Sequence, residues 1–136
     1  DLKALKAARL HVAVFGANPE EKYRNKPILL NGVEMGVLPT NNQYRLDEWE
    51  EKTLDIPADK WPLIAAVNVV TVAGCGGDCF KITDVALAVQ LPDGTWAESN
   101  HDGTVYCGVG PGWLYFEGTP FARERSPDIR LTLPLE

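Results

Sequence analysis

Nothing in this sequence approaches the 18 or so consecutive apolar residues of a membrane-crossing helix, so no membrane insertion is expected. Positive charge is also scarce: 13 Lys and Arg stand against 19 Asp and Glu, a net charge of −6. Nucleic-acid binding draws on clustered cations that displace condensed counterions. Here the cations are scattered, and the densest stretch, Arg123 and Arg125, has Glu124 between its members. Nucleic acid is therefore excluded as a partner. No basic-plus-apolar leader opens the chain. Beginning at Asp1, it reads as a single domain over residues 1–136, excised from a longer multidomain protein.

Cysteine and histidine are few. Cys75, Cys79 and Cys107 are an odd set. The flexible Cys75-Gly76-Gly77-Asp78-Cys79 loop leaves two readings open: a small disulfide, or buried thiols acting as small apolar side chains. His11 and His101 lie far from the cysteines in sequence, and the ligand spacings of structural zinc are absent. Catalytic motifs are missing too. There is no G-x-S-x-G elbow. Gly74-Cys75-Gly76-Gly77 follows a strand, but no helix follows it to cradle a phosphate. The acidic residues offer many pairs and therefore single out none as the two carboxyls of a glycosidase. No catalytic residue and no cofactor are assigned, and the domain is expected not to be an enzyme.

What is present is a run of short strands. Apolar residues make up 45% of the chain and charged ones 24%, the balance of a folded domain rather than a disordered one. From Arg9 the pattern alternates, with Leu10, Val12 and Val14 on one face and His11, Ala13 and Phe15 on the other. Pro27–Leu30 and Val33–Leu38 flank Asn31-Gly32, a pair suited to a tight hairpin turn. Glu51–Ile56 follows, and Val67–Val72 is almost wholly β-branched. Further strands are expected at Phe80–Thr83, Val85–Leu91, Thr95–Ala97, Thr104–Cys107, Trp113–Glu117 and Ile129–Leu133, with Asp93-Gly94 as a second hairpin turn. Nine or ten short strands, with turn residues every 8–12 positions, predict an all-β fold: an antiparallel β-sandwich of the jelly-roll kind, two sheets packed face to face.

Several of these segments carry a resemblance. Ala8-Arg9-Leu10-His11-Val12, Ile28-Leu29-Leu30-Asn31-Gly32-Val33-Glu34-Met35-Gly36, Leu54-Asp55-Ile56-Pro57 and Asn68-Val69-Val70-Thr71-Val72 occur in that order. The stretch from about 8 to 72 resembles the galactose-binding-like jelly rolls attached to glycoside hydrolases and related polysaccharide-active enzymes. The charged loop at 18–26 and the Cys75–Cys79 loop depart from that pattern. The resemblance implies a carbohydrate-binding module that holds an attached catalytic domain near a polysaccharide or oligosaccharide. It also implies a structural calcium, for which Asp78, Asp84, Asn100 and Asp102 offer loop oxygens, although no loop reads as a dedicated calcium motif.

A sugar presents C–H groups to a flat ring and hydroxyls to polar side chains, so aromatic residues in loops or on solvent-facing strand positions are the candidates. Trp113 follows a glycine-rich loop and shares a strand face with Tyr115, which would make a stacking platform. Tyr106, Asn100 and Asp102 complete the expected ligand-binding set, together with Trp96, which otherwise caps the sandwich edge. Trp61 is expected in the core, and Trp49 fits either role. The alternative is a structural jelly roll that mediates contacts between domains or subunits. A small hydrolase or lyase comes third, to be favoured by a cleft with facing carboxyls. The acidic, lysine-poor composition fits a secreted, extracellular bacterial module.

Overall fold

In a computed structural model, residues 2–43, 46–109, 118–122, 124 and 125–135 are described. They form ten strands in two packed sheets, so the expected all-β sandwich is what the chain adopts. The strands are β1 (Ala7–Phe15), β2 (Pro27–Leu30), β3 (Val33–Val37), β4 (Glu50–Asp55), β5 (Val67–Val72), β6 (Phe80–Gln90), β7 (Trp96–Glu98), β8 (Tyr106–Gly108), β9 (Thr119–Pro120) and β10 (Ile129–Thr132). One sheet has six strands in the order β4-β1-β6-β8-β9, with β7 also on β6; the other has four, β10-β5-β2-β3. The pairings are antiparallel except β8 with β9. β7 pairs with residues 88–90 of β6 and β8 with residues 80–82, so the two lie end to end along one edge of it.

The alternation seen in the sequence sets which faces meet. Ala8, Leu10, Val12 and Val14 from β1 and Phe80, Ile82, Val85, Leu87 and Val89 from β6 point inward. They meet Ile28, Leu30, Met35, Val70, Val72, Ile129 and Leu131 of the second sheet. Burying such side chains contributes roughly 1.5–3 kcal/mol each, which is what holds the layers together. Trp61 is half-buried against this core in a 3-10 turn, and its indole N–H donates to the Ile56 carbonyl at 2.8 Å.

Turn chemistry follows the sequence at Asn31-Gly32, where both residues take positive φ (49° and 86°), as a two-residue turn requires. At Asp93-Gly94 only Gly94 does (91°), and the Leu91 N–H reaches Thr95 O across a longer loop. The expected strands at 80–83 and 85–91 are one continuous strand. Between the pairs His11–Ala86 and Ala13–Thr83, β6 has one residue more than β1. This β-bulge shifts the phase: even-numbered residues face inward before it and odd-numbered ones after it, so Thr83 and Asp84 both face outward. Asp84 takes φ 55°, which aspartate tolerates better than a branched residue would.

At the other end of β1, Glu50 accepts backbone N–H bonds from Asn42 (2.8 Å) and Gln43 (2.9 Å) and pairs with Lys52 at 3.0 Å. Partial burial pushes its carboxyl up. The backbone donors and the ammonium outweigh that and hold it at about 2, against an ordinary 4.5. A depressed carboxyl stabilises the fold above the unfolded-state value and ceases to do so as pH falls through the folded one. Glu50→Gln should therefore cost about 1–2 kcal/mol in urea unfolding at pH 7, and the difference should fade between about pH 4.5 and 2. A difference that stays constant across that range would refute the capping role.

Candidate functional site

The outward face of the six-stranded sheet carries a trough of about 400 Å³. Its floor is low because β6 presents only Ala86 and Ala88 there, while longer side chains rise on either side: Arg9, His11, Glu51, Thr53, Asp84, Glu98 and His101. His11 comes from β1, opposite Ala86, and Glu51 stands diagonally from it on the edge strand β4. The β6 bulge adds Asp84. His101 is brought over Asp84 by the backbone bridge between Val85 and Asp102, with N–H···O distances of 3.2 and 2.9 Å.

The two histidines, 90 positions apart in the chain, thus stand with ring centroids 6.0 Å apart. His11 Nε2 lies 3.3 Å from Asp84 Oδ2 and 3.6 Å from Glu51 Oε1. His101 Nδ1 donates to Asp84 Oδ1 at 2.6 Å, and its Nε2 donates to Glu98 Oε1. Both ring nitrogens of His101 face carboxylates, first Glu98 and then Asp84, and these bonds raise its pKa. The His101 bond likewise holds the Asp84 carboxyl below its ordinary range. The ligating atoms of His11, Glu51 and Asp84 all lie within 4.8 Å of one another, a spacing that can hold a metal ion.

Aromatic rings stand on the same sheet face beyond the trough in both directions along β1, outside its lining. At one end Arg9 lies over Trp96, its guanidinium carbon 4.2 Å from the ring centroid. At the other, Phe15 and Trp49 are 5.4 Å apart, and Lys81 lies over both, at 4.0 and 5.4 Å. Trp49 and Trp96 are 41% and 44% exposed. From Arg9 to Phe15 is ~20 Å of strand, so the face is long as well as polar.

Of the residues expected in the ligand site, Trp96 alone among the described ones stands beside this trough. Trp113 and Tyr115, with the whole expected strand Trp113–Glu117, lie outside the described residues. Tyr106 is buried, and its hydroxyl donates to Asp102 Oδ2 at 2.5 Å. Burial and the Asp102 carboxylate push the phenol up to about 12. Asp102 is engaged by Tyr106 and by the Thr104 N–H. Asn100 ties the sheets together, donating to the Arg130 carbonyl at 3.3 Å and accepting from the Thr132 N–H at 2.7 Å. Tyr106, Asn100 and Asp102 are thus spent on the fold's own bonds. The oxygens considered for calcium are likewise dispersed, with Asp78 bound to Lys26, Asp84 in the trough and Asn100 and Asp102 at the sheet edge.

The cysteine loop has its own task. None of the three cysteines is in a disulfide. Cys75 is buried, and desolvation pushes its thiol up to about 11, far from a reactive thiolate. Sequence reasoning gave no site role to Arg9, His11 or Glu51 and weighed Asp84 only as a calcium oxygen, while Glu98 and His101 lay among the polar residues beside Trp96 but outside the expected set. His11 on the polar side of an alternating strand, and an aspartate interrupting another, were the only local signs. Their meeting depends on the pairing of β1 with β6. No family model matches the chain, and neither curated proteins nor solved structures provide a match.

Proposed function

We propose that this domain is a non-catalytic carbohydrate-binding module that takes a polysaccharide or oligosaccharide along the outer face of its six-stranded sheet and keeps an attached catalytic domain near that substrate. The observation that carries the reading is the pair of exposed tryptophans, Trp49 and Trp96, flanking on one sheet face a trough lined with hydrogen-bonding side chains. Rings offer the C–H faces of a sugar a stacking surface, and Arg9, His11, Glu98 and His101 offer its hydroxyls both donors and acceptors. The ~20 Å span of strand suits a chain of sugars better than a single one.

The carboxylates along the trough also bear on the hydrolase reading. Glycoside hydrolysis needs one carboxyl kept protonated by a raised pKa. Asp84 is shifted the other way, so it does not suit the general-acid role.

Affinity electrophoresis through gels containing a panel of soluble plant, algal and host polysaccharides tests the proposal. One class should retard the domain, and Trp96→Ala and Trp49→Ala should each weaken retardation by about tenfold. Retardation lost only in Trp113→Ala would move the site to Trp113. No retardation on any gel would favour a structural domain that contacts a neighbour, and release of reducing ends would favour the hydrolase.

A further inference from the structure

The centre of the trough carries a second and more specific chemistry. His11 Nε2 faces two carboxylate oxygens at once, Asp84 Oδ2 at 3.3 Å and Glu51 Oε1 at 3.6 Å. A single proton on that nitrogen serves one of them well. A divalent ion serves both. Ligands about 2.1 Å from a tetrahedral ion are ~3.4 Å from one another, and these two separations fall on either side of that value.

We propose that His11, Asp84 and Glu51 bind one divalent transition-metal ion of the zinc type, with a fourth position open to the trough. An imidazole with two carboxylates suits zinc, cobalt or nickel, whereas calcium takes oxygens alone. The surrounding groups have the arrangement of an outer shell. Asp84 offers Oδ2 to the ion while its Oδ1 accepts from His101, and His101 is held in turn by Glu98. Such partners orient a ligating carboxylate. Charges balance as well, because the ion offsets Glu51 and Asp84. The β6 bulge supplies the key placement, because unbroken alternation would have turned Asp84 toward the core.

Isothermal titration of the chelator-stripped chain with ZnCl₂ alone tests this. One equivalent should bind to the wild type. His11→Ala and Glu51→Gln should each weaken binding by about 100-fold or more, and His101→Ala by about 10- to 100-fold. Glu51 is exposed on an edge strand, so Glu51→Gln leaves the fold intact even if a change at the bulge does not. Cobalt substitution should give visible d–d bands without a thiolate charge-transfer band. The assignment is overturned if the wild type takes up no zinc, if His11→Ala and Glu51→Gln bind it unchanged, if calcium is preferred, or if a thiolate band places the ion on cysteine. No glycan is present in the titration, so its failure would leave the carbohydrate reading untouched.

Discussion

Asp78→Ala is expected to destabilise the domain by about 3–5 kcal/mol, the cost of leaving one member of a buried ion pair without the other. Lys26 is fully buried, and its ammonium donates to Asp78 Oδ2 at 2.8 Å while lying 4.6 Å from the centre of the Phe80 ring. Burial lowers the Lys26 pKa, and the Asp78 bond and charge oppose that shift. The same carboxylate accepts the Asn18 N–H (2.8 Å) on Oδ2 and the Cys79 N–H (2.8 Å) on Oδ1, so one side chain joins three segments. Removing it strands a charge and two backbone donors together. The double variant Lys26→Met/Asp78→Asn should recover a large part of the loss, because it removes the charge and keeps a carbonyl acceptor. Urea unfolding at neutral pH measures both. A loss below about 1 kcal/mol in Asp78→Ala, or a double variant as unstable as the single one, would show that the pair does not anchor the loop.

The second large effect is expected at Gly108. It stands opposite Phe80 in the β6–β8 pairing, and the Phe80 ring lies directly over its backbone. A Cβ there would fall well inside contact distance of that ring. The ring cannot readily yield, since it packs edge-on against Phe121 (5.6 Å, 86°) and under the Lys26 ammonium. Gly108→Ala should therefore cost about 1–3 kcal/mol through overpacking. In a chain of this size that lowers Tm by roughly 3–12 °C. Restoring space with Phe80→Leu in the same chain should return part of the loss, a coupling that separates steric conflict from a change in strand propensity. An unchanged Tm in Gly108→Ala would refute the close packing.

Both effects arise where the sequence is least explicit. Gly74-Cys75-Gly76-Gly77-Asp78-Cys79 reads as a flexible cysteine loop. In the fold Gly74 and Gly76 allow close passage of the backbone, and Gly76, at φ 60°, leaves so little room that a Cβ would lie 2.7 Å from the Tyr23 carbonyl oxygen. That passage brings Asp78 to a lysine 52 positions away. The pattern showed a charged loop and a cysteine pair; the partner of Asp78 could not be inferred from it.

Elsewhere local rules sufficed. Asn31-Gly32 formed the turn that its composition favours, and the β-branched run Val67–Val72 became a strand beside the core. Asn68, near the head of that run, accepts the Ala65 N–H and donates to the Ala65 carbonyl, both at 2.8 Å. The candidate site was far less legible. Tyr106, Asn100 and Asp102 looked available because polar and aromatic residues close together in sequence resemble a binding patch. Whether such a side chain faces solvent or spends its hydrogen bonds internally depends on which strand lies beside it.

The sequence alone therefore determined most of the described strands, the two faces of β1 and the Asn31-Gly32 turn, because alternation, β-branching and turn preference act over a few neighbouring residues. Only the tertiary structure decided that β1 pairs with β6, that one extra residue in β6 turns Asp84 outward, and that His11, His101, Glu51 and Glu98 gather around it. Those contacts join positions separated by up to 90 residues. The physical reason is that strand pairing is selected by burial of the whole inner face, to which the outward side chains contribute almost nothing. Their meeting on the outer face follows from that register and leaves no mark in the local pattern.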